Sequence, residues 1–288
     1  MTLHEVYNLE FPYCVEILRL NGYVFKKAKN YREALGQLQH LEKYTDEFER
    51  TPNYGGHAIT AEVSAPSPEP TAKLKWGKQG VTHLDDILLL LSLFTGRHVW
   101  KKEGDKVIIV ADHRKYMYGT VLLQGLPSLI DNDTVPQADR GFERGVNKVI
   151  QHISDQKWIE KYRGGHYLFL ADQAFRRQIL ETQFSLCYTI WEHLFSLHNA
   201  SWLAPASIHR IGAKDKVAFI LSEYKMSTTD CPTSEKIVDA RNRVIHFGMF
   251  PDTKSKQDAM KFIKATEFLV GKTLGLFQEH SPFLHKDH

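Results

Sequence analysis

The sequence predicts an α+β domain that is followed by an all-α helical bundle. In the first 124 residues, apolar side chains recur at both strand and helix spacing, whereas after residue 141 they recur at helix spacing throughout. The stretch between them, residues 125–141, is polar and rich in turn-forming residues. A chain of 288 residues is long enough for two cores. We therefore predict an N-terminal domain over residues 1–124, a linker over 125–141 and a bundle over 142–288.

The strands of the N-terminal domain are predicted from alternation and from turn signals. The Asn21-Gly22 pair is typical of a two-residue hairpin, because both residues tolerate positive φ. A loop is expected at residues 65–70, since the prolines there fix φ and remove backbone donors. The predicted strands lie at residues 13–20, 22–25, 58–63, 99–100 and 106–110.

Two helices are predicted in the same domain. Residues 31–48 have leucines at helical spacing. Residues 84–95 form the second helix, with Thr82 as N-cap, Asp85 at the capping-box position and Gly96 as the stop signal. The sequence of this domain contains no nucleotide-binding loop, nucleophile elbow or metal motif.

The C-terminal region is predicted to be a bundle, because it contains four or five helices with short connections. A break is expected at Gly164-Gly165. The predicted helices span Glu143–Trp158, Asp172–Leu197, Lys214–Lys225, Ser234–His246 and Asp258–Phe277.

The composition argues against several kinds of functional site. The 37 basic and 34 acidic side chains leave a formal net charge of +3, which is too small to indicate nucleic-acid binding by itself. Cys14, Cys187 and Cys231 form no CxxC pair, so we expect neither a disulfide framework nor a cysteine zinc site. The 15 histidines include no HExxH motif. We therefore expect no metal and no cofactor.

The expected location is the cytoplasm. The N-terminus lacks the basic start and apolar run of a signal peptide. The longest apolar stretch, at residues 87–94, is far too short to span a bilayer. We expect a soluble protein without a membrane partner.

The helix predicted at Ser234–His246 carries the strongest candidate site. Ser234 is its expected cap, and Gly248 and Pro251 end it. At about 100° per residue, two arcs form around this helix. The apolar arc consists of Ile237, Ala240, Val244 and Phe247, extended by Val238 and Ile245. The polar arc consists of Glu235, Asp239, Asn242, Arg243 and His246.

Arg241 is the exception, since it projects between Ile237 and Ile245 within the apolar arc. A guanidinium is rarely buried without partners, because its desolvation is costly. Three readings stay open. Arg241 snorkels at the edge of the core, or it points into a helix interface and meets a carboxylate, or it reaches into a cleft. Glu192 is the best candidate for the carboxylate, although a solvated Glu192 is equally compatible with the pattern.

The string Arg241-Asn242-x-x-x-His246 resembles the R-x4-6-H motif of the HEPN family, including its preferred polar residue after the arginine. As in that family, the motif lies on a late helix of a small bundle. The segment Thr189 to Phe195 resembles the first long helix of the family, with its embedded glutamate, here Glu192. The resemblance covers roughly residues 142–280. Some family branches have a lysine two residues before the arginine, whereas this chain has Asp239.

The resemblance implies a metal-independent endoribonuclease that acts as a homodimer. The chemistry also follows from the residues, because RNA carries its own nucleophile in the 2′-hydroxyl. Histidine as a residue type titrates near neutral pH, so His246 can move protons. Arginine as a residue type stays charged and presents a planar fork, so Arg241 can hold phosphoryl oxygens. Asn242 can orient either group. A two-fold dimer would bring two histidines together and so supply both an acid and a base.

Other candidates are weaker. Glu192, Arg243 and Asp239 are supporting residues of the candidate site. The alternative for His246 is a helix-terminal histidine that interacts with the helix dipole. Asp112-His113 is a faint metal or catalytic signal. The pairs Lys101-Lys102 and Arg176-Arg177 are expected on solvated faces, with contact to phosphate as the alternative. The aromatic residues Trp158, Trp191 and Trp202 are expected in the core rather than as stacking platforms for bases.

Two function classes follow from these observations. The first is a ribonuclease toxin or anti-phage defence effector, whose N-terminal domain senses a protein or ligand trigger or selects the RNA substrate. The second is a non-catalytic HEPN-like module that dimerises or binds a protein or nucleic-acid partner. Intact Arg241, Asn242 and His246 favour the enzyme, whereas Asp239 and the small net charge favour the module.

Overall fold

The chain forms two compact units, Met1–Asp155 and Gln156–His288. The computed structural model describes residues 2–12, 15–36, 58–74, 82–102, 122, 135–176, 179–199, 211–227, 229 and 231–277.

An antiparallel sheet forms the centre of the first unit. Its strands are β1 (Thr2–Tyr7), β2 (Ile17–Leu20), β3 (Tyr23–Lys27), β4 (Ile59–Ala65) and β5 (Trp100–Lys101). They lie in the order β2-β3-β4-β1-β5, and every neighbouring pair is antiparallel. The predicted strand at 106–110 and the start of the predicted strand at 13–20 lie outside the described residues.

The β2–β3 hairpin closes at the predicted Asn-Gly turn. Leu20 pairs with Tyr23, so Asn21 and Gly22 form a two-residue loop. Their φ angles are 47° and 88°, which are both in the left-handed region that this turn requires. The turn sets the register that places Leu18 and Phe25 opposite each other in the buried face of the sheet.

Helix α1 (His83–Thr95) follows the predicted signals at both ends. The Asp85 carboxylate accepts a hydrogen bond of 2.8 Å from the Thr82 backbone N–H, which completes the capping box. Gly96 ends the helix at φ 66°. All residues of α1 are buried, and it packs against β5. Of the predicted helix at 31–48, residues 31–36 are helical and the others lie outside the described residues.

Helix α2 (Val135–Ile153) spans the end of the predicted linker and the start of the predicted bundle. Residues 135–141 were expected in a linker and 143–153 in the bundle, yet the whole helix belongs to the first unit. The Glu143 carboxylate accepts a 2.7 Å hydrogen bond from the Arg19 backbone N–H. The Asn147 side-chain amide donates a hydrogen bond to the Arg19 carbonyl and accepts one from the Asn21 backbone N–H, both at 2.8 Å. These side chains satisfy backbone groups of the hairpin, so the helix is attached to the sheet.

The second unit is helical. It consists of α3 (Gln156–Tyr162), α4 (Gly164–Arg176), α5 (Leu180–Asn199), α6 (Ala213–Glu223), α7 (Ser234–Phe247) and α8 (Thr253–Thr273). Helix α5 contacts α3, α4, α6, α7 and α8, and is therefore the central element. An antiparallel sheet followed by a mostly helical region confirms the predicted change of fold class along the chain.

Two predicted helices are divided in the structure. Helix 143–158 is interrupted between α2 and α3 at Ser154-Asp155, and helix 172–197 is interrupted between α4 and α5 after Arg176. No glycine or proline marks either interruption, so periodicity alone predicted continuous helices. The predicted break at Gly164-Gly165 is confirmed, because Arg163 has φ 49° and α4 begins at Gly164.

The core of the second unit surrounds Trp191 of α5. Its indole Nε1 donates a 2.9 Å hydrogen bond to Thr266 Oγ1 of α8, and its ring lies 5.0 Å from that of Phe262, measured between centroids. Both contacts are buried, so they fix α8 against α5. Among the helices in the described ranges, none is long and apolar enough to cross a membrane.

Candidate functional site

Helix α7 carries the candidate site and lies against α5, α6 and α8. Its N-cap is Thr233 rather than the predicted Ser234, and Gly248 ends it at φ 74° as predicted. Only Ile237 and Ala240 of the predicted apolar arc are fully buried. The second half of the helix therefore extends beyond the core.

Arg241 lies on the side of α7 that faces α5. Its guanidinium carbon is 5.7 Å from the centroid of the Tyr188 ring. Nη1 donates a 3.0 Å hydrogen bond to the side-chain oxygen of Asn242. Nε is buried and has no hydrogen-bond partner among the described residues. Arg241 is thus held by an aromatic face and an amide, and part of its hydrogen-bonding capacity is unused.

Glu192 does not form an ion pair with Arg241 in the part of the chain that the structure describes. Its carboxylate instead accepts a 2.8 Å hydrogen bond from Lys216 Nζ of α6 and a 3.3 Å hydrogen bond from the Tyr188 hydroxyl. The structure therefore differs from both alternatives for Glu192, which were an ion pair with Arg241 and a solvated carboxylate. Glu192 supports Arg241 indirectly, through the tyrosine ring on which the guanidinium lies.

Tyr188 is therefore the link between the arginine and the glutamate. Burial, reinforced by the Glu192 charge, raises the pKa of Tyr188 to about 12, while the Arg241 charge lowers it in part. The phenol is thus neutral near pH 7 and acts as a hydrogen-bond donor. Sequence reasoning missed Tyr188 and Lys216. The four-residue spacing of Tyr188 and Glu192 on one helix face was the available signal for the tyrosine.

His246 lies on the outside of the helix, where it is exposed. It is five residues after Arg241, which corresponds to about 140° around the helix and about 7.5 Å along it. One chain therefore does not bring these two side chains onto one face. Asn242 lies between them, because it bonds Arg241 and is one turn from His246.

Arg243 and Asp239 form their own pair on the outer face. Arg243 Nε donates to the Asp239 carboxylate at 2.9 Å, four residues apart. Both side chains are well exposed, so the pair contributes little to stability. The pair places a positive charge beside the Asp239 carboxylate.

The end of α7 exposes apolar side chains, of which Ile245 and Phe247 belong to the predicted apolar arc. Ile245 is 56% exposed, Phe247 is 74% exposed and Met249, just after the helix, is 61% exposed. These three exposed side chains lie within five residues of one another along the chain, at the C-terminal end of the helix. We call these three residues the apolar end of α7.

The other candidates have structural roles or lie outside the described residues. Arg176 forms a buried ion pair with Asp172 at 2.5 Å, which corrects the reading of Arg176 as solvated. Lys101 and Lys102 pair with Asp85 and Glu5. Trp158 and Trp191 are buried, as predicted. The predicted positions Asp112, His113, Arg177 and Trp202 lie outside the described residues.

A second polar cluster lies in the first unit, around His83. Its Nδ1 is 3.2 Å from an Asp86 carboxylate oxygen and its Nε2 is 2.6 Å from the Asn21 side-chain nitrogen. The same Asp86 oxygen accepts a hydrogen bond from the Lys73 backbone N–H at 2.7 Å. These bonds attach the start of α1 to the hairpin turn. Within the described ranges, no group of three or more His, Cys, Asp or Glu is placed to hold a metal ion.

The arrangement on α7 combines a fixed positive charge, an amide and an exposed imidazole. A guanidinium with unused donors suits an anion, and an exposed imidazole can exchange protons with a bound molecule. Comparisons with known proteins add no assignment: no family model, no curated protein and no solved structure matches the chain.

Proposed function

We propose that the chain is a HEPN-like, metal-independent endoribonuclease in which Arg241, Asn242 and His246 act on RNA. The observation that carries this proposal is the setting of Arg241. Its guanidinium stacks on Tyr188 and bonds Asn242, yet its Nε is buried and unpaired among the described residues. A structural arginine would be expected to satisfy that donor with a carboxylate.

The proposed reaction uses the 2′-hydroxyl of the substrate as nucleophile. Its oxygen attacks the adjacent phosphorus, its proton passes to an imidazole, and the bond from phosphorus to the 5′-oxygen breaks as that oxygen receives a proton. Arg241 stabilises the negative charge that develops on the phosphoryl oxygens. The products are a 2′,3′-cyclic phosphate and a 5′-hydroxyl.

The reaction needs a proton acceptor and a proton donor, whereas each α7 carries one histidine in its motif. We propose that a homodimer supplies both, with α7 near the two-fold axis. Two features support this. His246 faces away from its own bundle, and the apolar end of α7 is exposed beside it. Burying these apolar side chains between two copies would remove them from water.

The proposal is tested by incubating the full chain with total RNA and with a labelled RNA oligonucleotide in EDTA. Cleavage should persist, since Arg241 rather than a metal supplies the positive charge. A 2′-deoxy substitution just before the cut should abolish it. Mass spectrometry should identify the cyclic phosphate. Activity that requires Mg²⁺ and also degrades DNA would contradict the proposal.

Matched variants separate the site from the rest of the surface. Arg241→Ala and His246→Ala should remove most activity, whereas Arg32→Ala and His166→Ala, at exposed positions outside the site, should not. Equal losses in all four variants would show that the activity does not arise from α7.

The second candidate function is a non-catalytic dimerisation or partner-binding module. The exposed apolar end of α7 favours it, because such a surface binds proteins without any chemistry. This alternative predicts that no RNA is cleaved and that Arg241→Ala lowers the free energy of unfolding by several kcal/mol. RNA cleavage by the chain and the free energy of unfolding of Arg241→Ala therefore distinguish the endoribonuclease from the binding module.

The biological role that we propose is a toxin or anti-phage effector, with the N-terminal region sensing a protein or ligand trigger or selecting the RNA. Expression in bacteria should slow growth, and Arg241→Ala should relieve this effect. Comparing RNA cleavage by the full chain with cleavage by residues 156–288 tests the sensing role. Equal rates and equal cleavage patterns would contradict it.

A further inference from the structure

One face of α8 is basic and exposed. Lys254, Lys261 and Lys264 lie within about 80° of one another around this helix, and all three are exposed. The opposite face is buried and includes Phe262 and Ile263. The three residues, called the lysine row below, extend over about 15 Å along the helix axis.

The lysine row differs from neighbouring lysines of the bundle in its ion pairing. None of its three side chains forms an ion pair with any residue that the structure describes, whereas Lys214, Lys216 and Lys236 each do. Asp258 is one acidic residue beside the row, and its carboxylate lies 3.4 Å from Lys236 of α7. The row therefore presents to solvent three lysines without an ion pair among the described residues, although the whole chain is only at +3.

The lysine row adjoins the outer face of α7. Lys236 and Arg243 lie within about 20° of each other on that face, and Lys236 reaches across to Asp258 of α8. A hydrogen bond from the Ser255 backbone N–H lowers the pKa of Asp252, and the Arg243 charge lowers it further. The lysine row of α8 therefore lies beside the face of α7 that carries Lys236 and Arg243. His246 is about 60° from Arg243 around α7.

We propose that the lysine row binds the phosphate backbone of a single RNA strand and guides it to the α7 site; this inference rests on the proposed function. A lysine is a flexible point charge, which suits contacts to phosphates without reading bases. A row of about 15 Å is long enough to contact several phosphates of one strand. For comparison, each strand of a duplex carries a phosphate about every 3.4 Å along the helix axis. A single strand is expected because attack by the 2′-hydroxyl requires a backbone that is free to rotate.

The test measures binding of the full chain to a fluorescent, 2′-O-methylated single-stranded RNA, which the proposed chemistry cannot cut. Fluorescence anisotropy gives the affinity over a range of NaCl concentrations. The triple variant Lys254→Gln, Lys261→Gln, Lys264→Gln should reduce the slope of log affinity against log salt by about 2, since each contact to a single strand contributes about 0.7.

The matched control is Lys26→Gln, Lys29→Gln, Lys148→Gln, which removes the same charge from exposed positions of the first unit. It should leave the slope unchanged. Equal slopes for the two triple variants would overturn the inference. So would equal competition by poly-glutamate at matched charge, which would instead indicate an acidic protein partner.

The outcome for the row and the outcome for the enzyme are separable. Suppose that the row variant, but not the control variant, lowers the slope of log affinity against log salt, and that the wild-type chain never cuts RNA. The lysine-row inference then stands and the endoribonuclease proposal fails. If the chain cuts RNA and the row variant binds and cuts like the wild type, the endoribonuclease stands and the lysine row fails. With cleavable RNA, the row variant should raise KM and leave kcat unchanged.

Discussion

The guanidinium of Arg241 lies over the ring of Tyr188, with Cζ 5.7 Å from the ring centroid. The hydroxyl of the same tyrosine donates to Glu192, which also binds Lys216. The expected carboxylate partner is therefore separated from the arginine by an aromatic ring. This arrangement fixes the guanidinium in position without neutralising its charge through a direct ion pair with Glu192.

Replacing Tyr188 should separate the role of its ring from that of its hydroxyl. Tyr188→Leu removes the ring under Arg241 and should lower kcat by about 3- to 30-fold, the kinetic equivalent of a cation–π contact. Tyr188→Phe keeps the ring and should retain most activity. RNA cleavage assays measure both, with urea unfolding to confirm the fold. Equal losses in the two variants would show that the ring does not position the arginine.

Arg241→Ala should abolish cleavage while changing the free energy of unfolding by less than about 1 kcal/mol. The variant loses a cation–π contact, but it also removes a buried donor that lacks a partner among the described residues. Urea unfolding gives the free energy and a labelled RNA gives the activity. Destabilisation by several kcal/mol in a chain that never cuts RNA would identify a structural arginine.

His246→Ala should lower the cleavage rate by about 10²- to 10⁴-fold, the usual contribution of a general acid or base. Its stability should match that of the wild type, because the side chain is exposed. Asn242→Ala should have a smaller effect, since the amide acts by holding Arg241. A His246→Ala variant of full activity would exclude this histidine from the chemistry.

The apolar end of α7 should be the dimer contact. Phe247→Asp with Met249→Asp should convert a dimer into a monomer in light scattering, because charged side chains there oppose desolvation. Ile179→Asp with Leu3→Asp is the control, since these apolar side chains are equally exposed elsewhere. A wild-type chain that is strictly monomeric and fully active would refute the composite site.

Acid should destabilise the helical unit through His193 and His198. Burial lowers the pKa of both histidines below the usual 6.5, although the Tyr162 carbonyl and Glu223, respectively, oppose the effect. The unfolded chain therefore binds more protons below about pH 6.5, so stability is complete above that pH and falls as pH decreases.

Urea midpoints measured on both sides of pH 6.5 should show this loss, with a flatter profile for His193→Gln and His198→Gln. A stability that rises as the pH falls through this range would contradict the assignment.

The sequence by itself determined features that depend on a few neighbouring residues. The Asn21-Gly22 turn, the capping box of α1 and the end of α7 at Gly248 all lie where predicted. Their backbone angles and hydrogen bonds are set within a span of a few residues, so local chemistry is sufficient to specify them. The change from a sheet to helices was likewise visible in the spacing of apolar residues.

Only the tertiary structure decided which surfaces and partners those elements have. Helix α2 joined the sheet because Glu143 and Asn147 meet backbone groups of a hairpin more than 100 residues away in sequence. Glu192 bound Lys216 instead of Arg241, and Phe247 remained exposed although its helical position was apolar. The periodicity of apolar residues predicts which side chains share one face of a helix. Which residues that face contacts depends on how helices distant in sequence pack together.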